Sequence, residues 1–261
     1  DLPMSYHAFS IAPEQLGNFV HAVRLLPVAG FNVTAPHKRA IVAYCDEKSP
    51  AVEAIGASNC VLNRDGRLAA HNTDVAGFLW GLEQAGFSPA GKRALILGAG
   101  GAARAVAYAL SRAGAASLAV ASRSARRKEE WQKESPALLA AGKIQFVPWR
   151  EEVLAELLRN AELVVQCTPV GTWPRSGQTV AFPFSALNEG HLVYDLVYNP
   201  PETAFLRRAG AEGARTQNGL AMLAAQAAEA LRIWGFTVDE METYRLLQEL
   251  VNTAPQKTEA D

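Results

Sequence analysis

The 261 residues predict an α/β protein of two domains, the second of them built on a doubly wound parallel sheet. Three observations carry this. From residue 94 onward apolar strands alternate with helical stretches, the first strand ends in a run of glycines, and the second ends in a cluster of basic residues. Such alternation marks parallel βαβ units, because a parallel neighbour can be reached only by a crossover. The strands are read at Ala94–Leu97, Leu118–Ala121, Ile144–Pro148, Leu163–Cys167 and Leu192–Leu196. The helices between them fall near Ala102–Arg112, Arg126–Ala141, Glu151–Ala161 and Glu202–Ala209.

Ahead of this region the pattern is mixed. Pro3–Ile11 reads as a strand, and Pro13–Leu26 as a helix with Leu16, Phe19, Val20 and Val23 on one face. Gly30–Thr34 is a short strand, followed by helical segments at about His37–Cys45 and Pro50–Ile55. Cys60–Leu62 and Leu68–Ala70 flank an Arg64-Asp65-Gly66 turn as a hairpin. Helix Val75–Ala85 is stopped by Gly86. From Gly219 to Val251 the chain is almost entirely helical, with Leu223, Ala227, Leu231 and Trp234 on one face, and polar Ala254–Asp261 is expected to fray. A boundary near Gly86–Lys92 gives one domain from residues 1–86 plus 220–261 and another from 87–219.

The glycine run, Gly98-Ala99-Gly100-Gly101-Ala102-Ala103, fits G-x-G-x-x-G/A at a strand-to-helix turn. Gly98 permits the tight turn, Gly100 lets the backbone approach a pyrophosphate, and Ala103 allows close helix packing. The helix start offers free N–H groups to phosphates. This is the fingerprint of a Rossmann-type dinucleotide domain. At the tip of the next strand, Ser122-Arg123-Ser124-Ala125-Arg126-Arg127-Lys128 has four cations, and no Asp or Glu lies between Gly114 and Lys128. An acid there would suit the ribose 2′-hydroxyl of NAD, whereas arginines suit the 2′-phosphate of NADP. Arg123 and Arg127 are therefore candidates for phosphate recognition and NADP is the expected cofactor. The bland alternative is a solvated helix start.

Composition narrows the partners. Apolar residues make up 49% and charged residues 20%, with a net charge of -1, which gives no reason to expect nucleic acid or an anionic membrane as partner. Three scattered cysteines and five scattered histidines predict a reduced, cytoplasmic protein with no metal site. No membrane span or signal peptide is visible. The five tryptophans are read as packing residues, and a monomer or a homodimer is equally compatible with the sequence.

In the first domain, polar residues cluster at Asn32–Lys38, Gly56–Asn59 and His71–Asp74, where strand ends and loops are predicted. Amides and hydroxyls suit a polyhydroxylated small molecule, since they donate and accept. Lys38 and Asp74 could manage a proton. Equally, Asn72 and Asp74 could cap the following helix, and Asn32 and Thr34 could be turn residues.

Six ordered segments together resemble the shikimate dehydrogenase family: Gly30–Lys38, Gly56–Asn59, Asn72–Phe78, Gly98–Ala102, Asp195–Pro200, and Asn218–Leu223 with Gln226. The resemblance implies NADPH-dependent, reversible reduction of 3-dehydroshikimate to shikimate, in the biosynthesis of aromatic amino acids. It implies Lys38 and Asp74 as the catalytic pair. Thr34, Asn59, Asn72, Tyr198 and Gln226 would bind substrate. Gly98, Ala99, Gly100, Gly101, Ala102, Ser122, Arg123, Ser124, Arg127, Thr168 and Gly219 would bind NADP.

Three departures accompany the match. The family opens with a β-α unit carrying Ser-x-Ser-Pro, which holds the substrate carboxylate; nothing here corresponds, and the absent opening methionine favours a sequence that begins inside the protein. Ser122 replaces the usual asparagine of an Asn-Arg-Thr loop, and Gln166-Cys167-Thr168 replaces Asn-Ala-Thr. The competing expectations are a family member acting on quinate or using NAD, and a non-catalytic nucleotide-binding regulator. Retention of both Lys38 and Asp74 speaks against the regulator.

Overall fold

The structure, a computed structural model, describes residues 4–140 and 142–253. Helix α1 (Leu16–Leu25) is followed by β1 (Gly30–Asn32), β2 (Glu47–Lys48), α2 (Pro50–Ile55), β3 (Cys60–Arg64), β4 (Arg67–His71) and α3 (Asp74–Gln84). Next come β5 (Arg93–Leu97), α4 (Gly101–Arg112), β6 (Ser117–Ser122), α5 (Arg126–Glu134), α6 (Pro136–Ala140), β7 (Ile144–Pro148), α7 (Glu151–Leu158) and β8 (Leu163–Gln166). The chain closes with β9 (Leu192–Asp195), α8 (Ala204–Ala211), β10 (Arg215–Gln217), α9 (Leu220–Ile233) and α10 (Glu240–Thr253). The expected fraying of Ala254–Asp261 lies outside the described residues.

Six strands form an all-parallel sheet in the order β10-β9-β8-β5-β6-β7. Renumbered from its first strand this is the 3-2-1-4-5-6 order of a dinucleotide-binding sheet, with its switch point between β5 and β8. Both faces are covered at its centre, which is why β5, β8 and β9 are apolar without alternation. Ala94 and Ile96 face a core with Val106, Leu110, Val120 and Trp131, while Leu95 and Leu97 face Leu154, Val164, Phe182 and Phe205. A smaller sheet, β1-β3-β4-β2, is mixed: β1/β3 and β3/β4 are antiparallel and β2/β4 is parallel. The β3–β4 turn uses Asp65 and Gly66, both at positive φ.

Helices α3 and α9 join the two sheets. Phe78 and Leu82 of α3 and Met222 of α9 are buried in the core of the parallel sheet, and Phe78 stacks on Tyr194 at 5.3 Å. From the far end of α9, the Trp234 indole donates to Val61 O in the small sheet at 3.0 Å. The contact between α3 and β9 is close enough that a Cβ on Gly81 would land on the Tyr194 hydroxyl. Gly81→Ala is therefore expected to cost about 1–3 kcal/mol of stability by overpacking. In a Tyr194→Phe background the penalty shrinks, and urea denaturation of the four proteins of the cycle measures it.

Several elements differ from expectation. Residues 4–12 enter no ladder. Side chains hold the segment in place: Tyr6 donates to Asn32 Oδ1 of β1 at 3.0 Å, Phe9 lies 6.5 Å from Phe19 of α1, and the His37 ring lies 2.7 Å from Ile11 O. Without ladder partners its apolar residues do not make it a strand, and Tyr6 and Phe9 remain 65% and 72% exposed. The segment expected as helix His37–Cys45 is a turn and a 3-10 helix at Ala40–Tyr44. The Lys38 carbonyl, which an α-helix would use, instead accepts from Ser58 N at 2.7 Å. Pro136 divides the long helix expected after residue 126. The tail is two helices separated around Gly235, which has positive φ.

Candidate active site

Lys38 and Asp74 reach one another from different elements. Lys38 sits in the turn after β1, and its carbonyl is tied to the Gly56–Asn59 loop. Asp74 opens α3. The Lys38 ammonium donates to Asp74 Oδ2 at 2.7 Å, with Lys38 27% and Asp74 10% exposed. The other carboxylate oxygen accepts from Asn59 Nδ2 at 2.9 Å. Both oxygens of Asp74 are thus committed to side chains, and no capping bond is formed by Thr73, the N-cap of α3. This separates the two readings of Asp74, because a helix-capping aspartate would face its own N–H groups.

Around the pair the amides converge. Asn59 Nδ2 lies within hydrogen-bond distance of Thr73 Oγ1 (2.9 Å) and Gln226 Oε1 (3.2 Å) as well as Asp74, and its Oδ1 accepts from Thr73 N at 2.7 Å. Asn72 Nδ2 donates to Ala57 O at 3.0 Å, while its Oδ1 is buried with no hydrogen-bond partner among the described residues. An orphaned buried acceptor is costly unless something donates to it. A ligand hydroxyl beside Asn72 would satisfy it. Thr34 is exposed one turn before Lys38, and its carbonyl accepts from His37 N at 2.9 Å. Tyr198, 41% exposed in the loop after β9, makes no described contact with the pair.

At the switch point of the parallel sheet, Gly98 has φ +108°, and a Cβ there would crowd Thr168 at 3.0 Å. Gly100 and Gly101 face open space at the start of α4, beside Ala99 and Ala102. Such a turn leaves room for a pyrophosphate against the helix N-terminus. The Ser122 hydroxyl and Ser124 bond to each other's turn, Ser124 N donating to Ser122 Oγ at 3.3 Å, and this holds exposed Arg123 at the tip of β6. Arg127 pairs with Glu130 at 2.6 Å. Across the switch point, Gln166 Oε1 accepts from Thr168 N at 2.5 Å, and Gln166 Nε2 reaches Asp195 Oδ1 at 3.4 Å. Asp195 also accepts from Thr203 Oγ1 at 2.7 Å and Val197 N at 3.0 Å; burial nevertheless pushes its carboxyl up to about 6. These bonds fix the loops carrying Thr168 and Tyr198. A Cβ on Gly219 would overlap Leu196 O, so only glycine fits where α9 begins.

The first 61 residues match the family model for the shikimate dehydrogenase substrate binding domain. A shikimate dehydrogenase (NADP(+)) of Desulforamulus reducens is 42% identical, over 91% of this chain and 82% of its own length. The chain belongs to the shikimate dehydrogenase family. Among solved structures, the Thermus thermophilus shikimate 5-dehydrogenase in complex with NADP(H) and shikimate is similar at a TM-score of 0.77, with 38% identity over 92% of this chain and 85% of that one. A quinate dehydrogenase from Corynebacterium glutamicum in complex with NAD is also similar, at a TM-score of 0.81 and 31% identity over 90% and 83% of the two chains.

Within this shikimate dehydrogenase-family chain the structure brings Lys38, Asp74, Asn59 and Gln226 into one network, with Asn72 beside it. It leaves Tyr198 apart. Thr73, the shared neighbour of Asn59 and Gln226, was not singled out by sequence; it stood unremarked between Asn72 and Asp74. Among the described residues no helix is long and apolar enough to cross a membrane, and no group of three or more His, Cys, Asp or Glu could hold a metal ion.

Asp74→Asn is expected to leave the melting temperature nearly unchanged, because asparagine is tolerated in a first helical turn, while lowering kcat by about two orders of magnitude. Thermal melting and steady-state kinetics on one preparation check both halves.

Proposed function

We propose that this chain is an NADP-dependent shikimate dehydrogenase in which Lys38 and Asp74 handle the proton. The observation that carries the reading is the 2.7 Å Lys38–Asp74 pair set among amides, with the Asn72 acceptor unpartnered. Residues 1–86 with 220–261 would hold the substrate and 87–219 the nucleotide, with α3 and α9 as their common wall. Gly219 caps α9 and Gln226 lies seven residues further along it, about 10 Å at 1.5 Å per residue, so one helix serves both regions.

NADP, when bound, supplies the hydride or accepts it. Gly98, Ala99, Gly100, Gly101 and Ala102 would hold its pyrophosphate, Ser122, Arg123, Ser124 and Arg127 its 2′-phosphate, and Thr168 and Gly219 its nicotinamide end. In the reducing direction the substrate carbonyl becomes an alkoxide, and Lys38 as an ammonium stabilises that charge and delivers its proton. In the oxidising direction the neutral Lys38 amine takes the hydroxyl proton as the hydride leaves. Asp74 orients both the lysine and the substrate hydroxyl. Thr34, Asn59, Asn72, Gln226 and Tyr198 bind the remaining polar groups of the substrate.

Oxidation of shikimate and of quinate, each with NADP+ and with NAD+, tests the specificity. Shikimate with NADP+ should have the highest kcat/KM of the four. A higher value for quinate, or for NAD+, would assign the chain to the other branch of its family.

A further inference from the structure

Helix α5 begins beside the arginines assigned to the 2′-phosphate and ends against both loops that build the proton-transfer site. At its start, Arg127 is paired with Glu130. In its middle, buried Trp131 donates to Ala99 O of the glycine turn at 3.1 Å. At its end, Glu134 holds two arginines: Arg104 of α4, buried and 2.7 Å away, and Arg39, the residue after Lys38. The next residue, Ser135, is fully buried and donates to Ile55 O at 2.7 Å. Gly56, at φ +72°, lies so close that a Cβ would stand 2.6 Å from Glu134 O. Ile55 and Gly56 lead directly into Ser58, which binds the Lys38 carbonyl, and Asn59, which binds Asp74.

We infer that Glu134 is a positioning residue through which occupancy of the NADP phosphate site is transmitted to the Lys38 turn and the Gly56–Asn59 loop. The inference rests on the proposed function for the identity of the two ligands. Nine residues of helix span about 13 Å, and a short helix of this kind moves as a unit. Displacing Glu130 from Arg127 by a phosphate acts at one end of that unit; the Glu134 carboxylate and Ser135 hydroxyl act on the substrate side at the other. Glu134 touches neither ligand site, so its effect must appear in how one ligand alters the other.

The test is a binding cycle. The dissociation constant for shikimate is measured by calorimetry with and without saturating NADPH, which carries the same 2′-phosphate and cannot react with shikimate, in the wild type, Glu134→Gln and Arg39→Gln. The wild type should bind shikimate at least about 5-fold more tightly with NADPH present, the lower end of ordinary coupling. Both variants should bring that ratio to within about twofold of one while changing NADPH affinity alone by less than about twofold, because the contact carries coupling and not ligand. The double variant should add nothing further, as for residues acting through one contact. Arg39→Gln matters because Glu134→Gln leaves buried Arg104 without its carboxylate and could unfold the chain, whereas Arg39 lies at the surface. A wild-type ratio of one, or full coupling retained in Arg39→Gln, overturns the inference while leaving the proposed function intact. NADPH binding without any shikimate binding overturns the substrate reading and this inference with it.

Discussion

Lys38→Met should lower kcat for shikimate oxidation by about 10²- to 10⁴-fold, the range over which a positioned acid or base acts. Methionine keeps much of the aliphatic stem and removes only the ammonium. The expected result is therefore a loss in kcat with shikimate KM altered far less. Asp74 makes this variant informative about structure as well. With Lys38 gone, Asp74 retains its 2.9 Å bond from Asn59, so the amide network has no reason to collapse and the melting temperature should stay close to wild type. Turnover within tenfold of wild type would remove Lys38 from the chemistry.

Removing both Arg123 and Arg127 should weaken NADP+ by about 10²- to 10⁴-fold and leave NAD+ nearly untouched. Each hydrogen bond to a charged group contributes about 1.5–3 kcal/mol, and the doubly charged 2′-phosphate exists only on NADP. Arg127 first has to leave Glu130, but an exposed i,i+3 ion pair is worth only a few tenths of a kcal/mol. The guanidinium fork is thus available to a phosphate at small expense. Fluorescence titration of the two nucleotides against wild type and the double alanine variant gives the ratio. Equal weakening of both nucleotides would mean that the arginines support the fold of the loop and not the phosphate.

The centre of the parallel sheet was legible because β5, β8 and β9 are buried on both faces and read as unbroken apolar runs. The glycine turn and the Asp65-Gly66 hairpin were legible because their backbone demands are local. Strand β10 was not: Arg215, Thr216 and Gln217 form a short polar edge whose pairing with Leu192, Val193 and Tyr194 has no apolar signature. The break at Pro136 had a signal in the sequence, since proline cannot continue a helix, and the charged run before it masked that signal. In the site, Lys38 and Asp74 could be named from residue types and from the resemblance, but only the geometry spoke against the capping reading of Asp74. That required knowing where both oxygens of Asp74 point. The Arg39–Glu134 contact spans 95 residues and joins two regions with unrelated local patterns, so no periodicity or motif encodes it.

The most direct test of the central claim is a crystal structure of this chain with shikimate and NADPH bound, a pair that cannot react. The account predicts a shikimate hydroxyl within about 2.6–3.2 Å of both Lys38 Nζ and an Asp74 carboxylate oxygen, the reach needed for proton transfer. It also predicts a second hydroxyl donating to the otherwise unpartnered Asn72 Oδ1. Shikimate bound away from the Lys38–Asp74 pair, or with that pair still closed on itself and no hydroxyl in reach, would contradict it.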